Sequence, residues 1–228
     1  MDLKKRVFEA NIALKENGLV VLTWGNVSEI DREKGYIAIK PSGVPYDAMT
    51  YDDIVIVDLD GNIIDGKYRP SSDLPTHIEL YKAFSDIGGI THTHSKWATV
   101  FSQAGVPIKP LGTTHADTFY GEIPVTRKLT PDEISGDYEK ETGTVIIEAF
   151  KDIDPLSIPG VLVNSHGPFT WGANAVKSVE NALILEEVAM MAWHTMKLNE
   201  NTKLQQELLD KHYLRKHGKN AYYGQGVK

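Results

Sequence analysis

Apolar and polar positions follow two different periods along this chain of 228 residues. Apolar residues that return every three or four positions among charged ones, as at Leu3, Val7, Ala10 and Leu14, indicate one face of an α-helix. This spacing predicts helices over 2–17, 75–84, a stretch that begins at Trp97, 139–150, 174–198 and 202–214.

Short apolar or β-branched runs between turn residues predict strands. They lie at 20–23, 36–40, 54–58, 62–64, the stretch that leads to His92, and 161–163, with a further extended segment at Val125. The Asp60–Gly61 pair predicts a hairpin turn. Because such short turns join antiparallel strands, we expect a mixed sheet covered by helices and not a purely parallel one.

Composition narrows the class of protein. A hydrophobic content of 41% over 228 residues suffices for one substantial core, so we expect a single domain over 1–228. The net charge of −7 argues against a nucleic-acid partner. No apolar run reaches the length of a membrane span and no export signal is apparent, so we expect a cytoplasmic protein without a membrane partner. With no cysteine, disulfides and thiolate ligands are excluded.

The most informative residues are His92 and His94, at the end of a predicted strand. Side chains at i and i+2 project from the same face of a strand, so the two imidazoles lie side by side. Such a pair can hold a divalent transition metal, although packed or hydrogen-bonded histidines are the alternative.

Two further residues complete a candidate ligand set. His166 follows the strand at 161–163 and precedes the turn residues Gly167 and Pro168. Asp73 stands just before a helix, where capping that helix is its alternative role. Three imidazoles and one carboxylate suit Zn²⁺ and also Mn²⁺ or Co²⁺.

Other proteins with a His-x-His pair fit this chain poorly. A cupin requires a glutamate four or five residues after the pair, where this chain has Ala98 and Thr99. A metallo-β-lactamase-like hydrolase continues with aspartate and histidine, where this chain has Ser95, Lys96 and Trp97.

Three loops of small residues are candidate anion sites. They are 25–28, 40–43 and 71–72, and each combines backbone N–H groups with hydroxyl or amide donors. Lys40 adds a positive charge. Each loop alone could be an ordinary turn, but three in the same half of the chain as the histidine pair favour a phosphate subsite.

Six motifs occur in one order along the chain: Thr23–Ser28, Lys40–Gly43, Ser71–Asp73, His92–His94, Thr113–Asp117 and Ser165–Gly167. In this order they resemble the class II aldolase and sugar-phosphate epimerase superfamily, most closely its pentulose-phosphate 4-epimerase branch. Each motif is short, but the joint order is specific. The similarity extends from the first helix to Tyr222–Gln225.

The resemblance implies a three-layer α/β/α domain with a central mixed, mostly antiparallel sheet flanked by helices. It also implies a four-fold symmetric homotetramer with active sites between neighbouring subunits. The C-terminal tail, from about residue 212 to 228, would then contribute to a neighbouring active site.

Site residues carried over from the resemblance fall into three groups. One ion per subunit, Zn²⁺ or else Mn²⁺ or Co²⁺, would be held by Asp73, His92, His94 and His166. The substrate phosphate would be bound by Asn26, Lys40, Ser42, Gly43, Ser71 and Ser72. The neighbouring subunit would supply Thr113, Asp117, Glu139, His212 and Tyr223.

One position distinguishes branches of the superfamily. In the fuculose- and rhamnulose-phosphate aldolases, the residue that matches Asp73 resembles a glutamate that doubles as acid and base. Aspartate is one methylene shorter and reaches less far towards the substrate carbon. The resemblance therefore assigns proton transfer to Asp117 and Tyr223, without deciding which serves each direction.

The implied reaction interconverts L-ribulose 5-phosphate and D-xylulose 5-phosphate, a step of arabinose catabolism. The C4 proton of a ketopentose is not acidified by an adjacent carbonyl, so cleavage and re-formation of the C3–C4 bond is the expected route. The alternatives are a sugar-phosphate aldolase, an epimerase of a related pentulose phosphate, or a zinc-dependent sugar-phosphate binder without turnover.

Overall fold

The structure, a computed structural model, describes residues 3–223. Within that range the helices are α1 (Leu3–Glu16), α2 (Leu74–Ala83), α3 (Lys96–Ala104), α4 (Thr113–Ala116), α5 (Pro131–Ser135), α6 (Tyr138–Ala149), α7 (Ala175–Leu198) and α8 (Gln206–His217). The strands are β1 (Asn26–Asp31), β2 (Tyr36–Ile39), β3 (Val55–Asp58), β4 (Ile63–Asp65), β5 (Gly89–His92), β6 (Gly160–Leu162) and β7 (Pro168–Gly172).

The seven strands form one sheet in the order β4-β3-β2-β1-β5-β7-β6. Every pair of neighbouring strands is antiparallel. Within residues 3–223, one parallel bridge joins Val125 to Leu162 outside these pairs. The expectation of a mostly antiparallel sheet in an α/β fold is confirmed.

Alternation along the strands produces two apolar faces. On β2 and β3, Ile37 and Val57 belong to one buried cluster, whereas Ala38 and Ile56 belong to another. The first cluster includes apolar residues of α2, α3 and α6, and the second includes residues of α1 and of the first part of α7. The sheet is therefore the middle of three layers, as expected.

Near the site, one predicted strand is wrong and one observed strand was not predicted. Residues 20–23 form no strand: Leu22 has a φ of +54°, and the Trp24 N–H donates to the Val21 carbonyl in a turn. The strand begins at Asn26 instead. Strand β7 was not predicted, because the sequence Pro168–Gly172 begins with proline and ends with glycine; proline occupies the first strand position, where no ladder N–H is needed.

Smaller differences concern the helices. The last helix covers Gln206–His217, four residues later at its start than the predicted 202–214. The short helices α4 and α5 were not predicted. No helix in the described range is both long and apolar enough to span a membrane.

Candidate active site

Three imidazoles converge where β5 ends. The candidate ligand nitrogens of His92, His94 and His166 all lie within 4.8 Å of one another, and the Nε2 atoms of His92 and His94 are 3.1 Å apart. Nitrogen ligands at about 2.0–2.1 Å from a tetrahedral ion would be about 3.3 Å apart. The structure thus brings the three histidines together, and their role as metal ligands stays a prediction.

His92 is locked in place by its surroundings. It is the last residue of β5, it is buried, and its ring stacks on Phe169 with a centroid separation of 4.1 Å. Its Nδ1 lies 3.0 Å from the Pro168 carbonyl oxygen, an acceptor that requires a proton on Nδ1. The Nε2 lone pair is therefore free to bind a metal.

A tight turn brings His166 to the same point. Ser165 has a φ of +62°, and the His166 N–H donates to the Val163 carbonyl. The following Gly167 lies against the backbone of the histidine pair, because a Cβ there would stand 2.7 Å from the Thr93 carbonyl oxygen. Glycine at 167 is what allows the turn to approach β5 so closely.

Helix α7 fixes the chain just after His94. The carboxylate of Glu186 on α7 accepts the N–H groups of Trp97 and Ala98, each at 2.9 Å, in the first turn of α3. These charge-assisted hydrogen bonds satisfy two backbone N–H groups that have no partner within α3. They hold the segment from His94 to α3 in one position relative to α7.

Burial favours the neutral form of His94 and His166. Burial, together with the neighbouring His92 and His94, lowers the pKa of His166 to about 3. Partial burial and His92 also lower the pKa of His94, although this ring opens to solvent. Neutral imidazole is the form that binds metals, so the donor set fits a divalent transition ion.

Asp73 stands at the N-terminal cap position of α2, yet its side chain makes no capping hydrogen bond. It lines the pocket of the histidines, and its Oδ2 accepts the Asn26 side-chain N–H at 2.6 Å. Burial works against ionisation, but His92, His77 and Asn26 together hold the pKa of Asp73 below its usual value. A carboxylate thus faces the site, and its role as a ligand stays a prediction.

The three small-residue loops meet in the same pocket of about 420 Å³, a size usual for small-ligand sites. Not all of their donors are available. The N–H groups of Ser42 and Ser71 donate to the carbonyls of Arg69 and Lys40. In the described part of the chain, the N–H groups of Gly43 and Ser72 make no such backbone bond and remain available to an anion.

Lys40, the first residue of the loop at 40–43, lines the same pocket. It is buried, its ammonium donates to the Val44 carbonyl at 2.8 Å, and it lies 4.8 Å from the centre of the Tyr46 ring. Burial lowers the pKa of Lys40 to about 8. Lys40 is therefore a cation at neutral pH and loses its charge in mildly alkaline solution.

This titration predicts a pH effect on anion binding. Below pH 8 the Lys40 ammonium attracts a phosphate, and above it that attraction is lost, so kcat/KM for a sugar phosphate should decline as the pH rises beyond about 8. In Lys40→Met, kcat/KM should be lower throughout and this alkaline decline should be absent. The matched control is Lys5→Met, an exposed lysine on α1. A decline at the same pH in Lys40→Met would contradict this assignment.

A second polar cluster surrounds Asp117, just after α4. The Asp117 carboxylate contacts His212 Nδ1 at 2.9 Å, Arg215 Nη2 at 3.0 and 3.1 Å, and Lys216 Nζ at 3.2 Å. Partial burial raises the pKa of Asp117, but the hydrogen bonds from these three α8 residues outweigh it and hold the pKa below its usual value. Asp117 is therefore ionised at neutral pH.

Tyr223 joins this cluster, with its ring 4.8 Å from the Arg215 guanidinium and 4.3 Å from the Lys216 ammonium. Thr113 contributes through its carbonyl, which accepts the Asp117 N–H. Of the residues assigned to a neighbouring subunit, Thr113, Asp117, His212 and Tyr223 do not line the histidine pocket of their own chain. The predicted tail extends beyond the described residues from Gly224 onwards.

Glu139 differs in position from the other residues that the resemblance assigned to a neighbouring subunit. It lines the histidine pocket of its own chain, and its carbonyl accepts the Thr76 hydroxyl of α2. Helices α2 and α6 both begin at this pocket, so Glu139 and Asp73 both line it. The resemblance groups Glu139 with residues of a neighbouring subunit, and which subunit's pocket it serves stays a prediction.

Sequence reasoning missed other residues of both clusters. Tyr138 and Trp24 line the histidine pocket, and Arg215 and Lys216 hold Asp117. A signal for Arg215 existed, since it lies three positions after His212 on the same helix face. Tyr138 carried no such signal, because only the packing of α6 against α2 brings it to the pocket.

Comparison with known proteins identifies the family. The family model described as "Class II Aldolase and Adducin N-terminal domain" matches residues 5–193, most of the chain. The chain belongs to this family. The likeness inferred from the six motifs is thereby confirmed.

Individual class II aldolase relatives extend this result. The chain is 53% identical to "L-ribulose-5-phosphate 4-epimerase UlaF" of Salmonella paratyphi A (strain ATCC 9150 / SARB42) over 224 residues, 98% of each protein. Among solved structures, an "L-fuculose 1-phosphate aldolase" is 26% identical, with a TM-score of 0.81 over 92% of this chain and 94% of that one. The L-fuculose-1-phosphate aldolase of Thermus thermophilus is 22% identical, with a TM-score of 0.70 over 89% and 98% of the two chains, and shows the shared fold.

Proposed function

We propose that this chain is a metal-dependent 4-epimerase that interconverts L-ribulose 5-phosphate and D-xylulose 5-phosphate. The observation that carries the proposal is the 53% identity to an L-ribulose-5-phosphate 4-epimerase over nearly the whole chain. The three convergent histidines and the anion loops in one pocket are the equipment that such a reaction requires.

The three histidines, with Asp73 as a fourth candidate ligand, would hold one divalent ion, which we propose is Zn²⁺, with Mn²⁺ or Co²⁺ as substitutes. When bound, such an ion supplies Lewis acidity at the carbonyl end of the substrate. His92 contributes an oriented nitrogen, because the Pro168 carbonyl fixes its tautomer. The Asn26 amide orients the Asp73 carboxylate.

The phosphate end of the substrate would lie on the anion loops. The N–H groups of Gly43 and Ser72, the hydroxyls of Ser42 and Ser72, and the charge of Lys40 supply the contacts. Anchoring by the phosphate matters for an epimerase. After the C3–C4 bond breaks, the aldehyde fragment must rotate and present its other face without leaving the pocket.

Two proton-handling groups are needed, because the C4 oxygen loses a proton before cleavage and regains one after re-addition on the other face. We propose Asp117 and Tyr223 for these roles. They lie together on a surface apart from the histidine pocket of their own chain, so they would serve the pocket of a neighbouring subunit. A closed ring of four chains, built from one repeated contact, provides this arrangement.

An aldolase that releases the aldehyde is the second candidate, favoured by the structural likeness to an L-fuculose 1-phosphate aldolase. Chelation followed by restoration with Zn²⁺, Mn²⁺ or Co²⁺ tests both, with L-ribulose 5-phosphate as substrate. We expect D-xylulose 5-phosphate from the restored protein and none after chelation. Net release of glycolaldehyde phosphate and dihydroxyacetone would favour the aldolase, and full activity of protein shown by elemental analysis to be metal-free would contradict the metal site.

A further inference from the structure

Tyr138, the first residue of α6, places its hydroxyl oxygen 3.3 Å from His166 Nδ1. Its ring lies 6.2 Å from the imidazole at an angle of 33°, and the half-buried side chain lines the histidine pocket.

The backbone of Tyr138 is fixed by the packing of two helices that start at the pocket. A Cβ at Gly143 of α6 would stand 2.8 Å from the Cβ of Glu79 on α2, so the helices approach closely at this glycine. The Thr142 hydroxyl donates to the Tyr138 carbonyl at 2.9 Å. Tyr138 thus has a set position relative to His166.

His92 shows what such a contact does. Its Nδ1 faces the Pro168 carbonyl, which fixes the tautomer and leaves Nε2 for the cluster. In the described range, His166 Nδ1 has the Tyr138 hydroxyl oxygen as its hydrogen-bond partner.

We propose that Tyr138 is a positioning residue for the metal centre: its hydroxyl oxygen accepts the Nδ1–H of His166 and so keeps Nε2 directed at His92 and His94. The inference rests on the proposed metal site and adds a residue that supports it. The described residues offer the ring nitrogens of His166 no other hydrogen bond, so without this partner its tautomer is no longer fixed.

The test compares the full-length wild type with Tyr138→Phe, which keeps the ring and removes the acceptor. The control is Tyr36→Phe, a partly buried tyrosine on β2. Loss of such a partner typically weakens metal affinity by about 10–100-fold. In a chelator competition, we expect Tyr138→Phe to bind Co²⁺ and Zn²⁺ more weakly by this factor. The visible bands of its Co²⁺ form should also change. The control should show neither change.

A second measurement is independent of the metal. Long-range ¹H–¹⁵N spectra of the metal-free wild type should show His166 as the Nδ1–H tautomer, and Tyr138→Phe should show a mixture. Affinities, Co²⁺ bands and tautomer equal to those of the wild type would overturn the inference while leaving the proposed function standing. A wild type that binds neither ion would overturn the metal site itself, and this inference with it.

Discussion

His92→Asn should leave the protein folded but strip it of its metal and of its activity. His92 is the buried member of the three histidines, held by Phe169 on one side and the Pro168 carbonyl on another. Asparagine is too short to bring a ligand atom to the place of Nε2. Because even a supporting residue is worth about 10–100-fold in metal affinity, loss of a ligand should cost at least about 100-fold in affinity and in turnover.

The measurements are metal content by elemental analysis, affinity by chelator competition, and turnover of L-ribulose 5-phosphate. His194→Asn is the matched control, since His194 lies on α7 and contacts only the Trp97 ring among the aromatic groups described. His94→Asn serves as a second variant at a more exposed position, where a folding defect is less of a concern. A His92→Asn protein that binds one equivalent as tightly as the wild type would contradict the site.

Asp117→Asn and Tyr223→Phe should keep their full metal content, unlike His92→Asn. Their turnover should nevertheless fall by about 10²–10⁴-fold. Neither residue lines the histidine pocket of its own chain, so neither should affect metal affinity. Asparagine cannot accept the proton that the ionised Asp117 carboxylate can accept. Loss of bound metal in Asp117→Asn would show that the role of this residue is wrongly assigned.

The same variants test whether active sites are shared between chains. When His92→Asn and Tyr223→Phe chains are co-refolded, some sites combine the intact histidines of one chain with the intact tail of the other. If chains mix at random, about a quarter of the sites are of this kind. Mixed oligomers verified by mass spectrometry, without activity above either parent, would indicate sites built within one chain.

Sequence reasoning located the histidine site well because its evidence is local. His92 and His94 are two residues apart at a strand end, and the loops at 40–43 and 71–72 carry their donors in adjacent positions. Most helices and strands also follow from local periodicity. Local periodicity missed the strand at Pro168–Gly172, because its first and last residues are typical of turns.

The remaining site residues could not be predicted because they meet only through tertiary packing. Tyr138 approaches His166 across 28 residues, and it does so because Gly143 lets α6 lie close to α2. Arg215 and Lys216 reach Asp117 across about a hundred residues, from a helix whose start the sequence placed too early. The N–H groups of Ser42 and Ser71 are likewise occupied because the two loops pair at Pro41 and Pro70, which are distant in sequence.

The central claim is that the configuration at C4 is inverted by breaking and re-forming the C3–C4 bond. The most direct test is to incubate the metal-loaded protein with L-ribulose 5-phosphate in D₂O and to follow the sugar by NMR. The C4–H bond stays intact on this route, so we expect D-xylulose 5-phosphate that carries no deuterium at C4. Deuterium at C4 would contradict the bond-cleavage route, and the absence of D-xylulose 5-phosphate would contradict the proposed function itself.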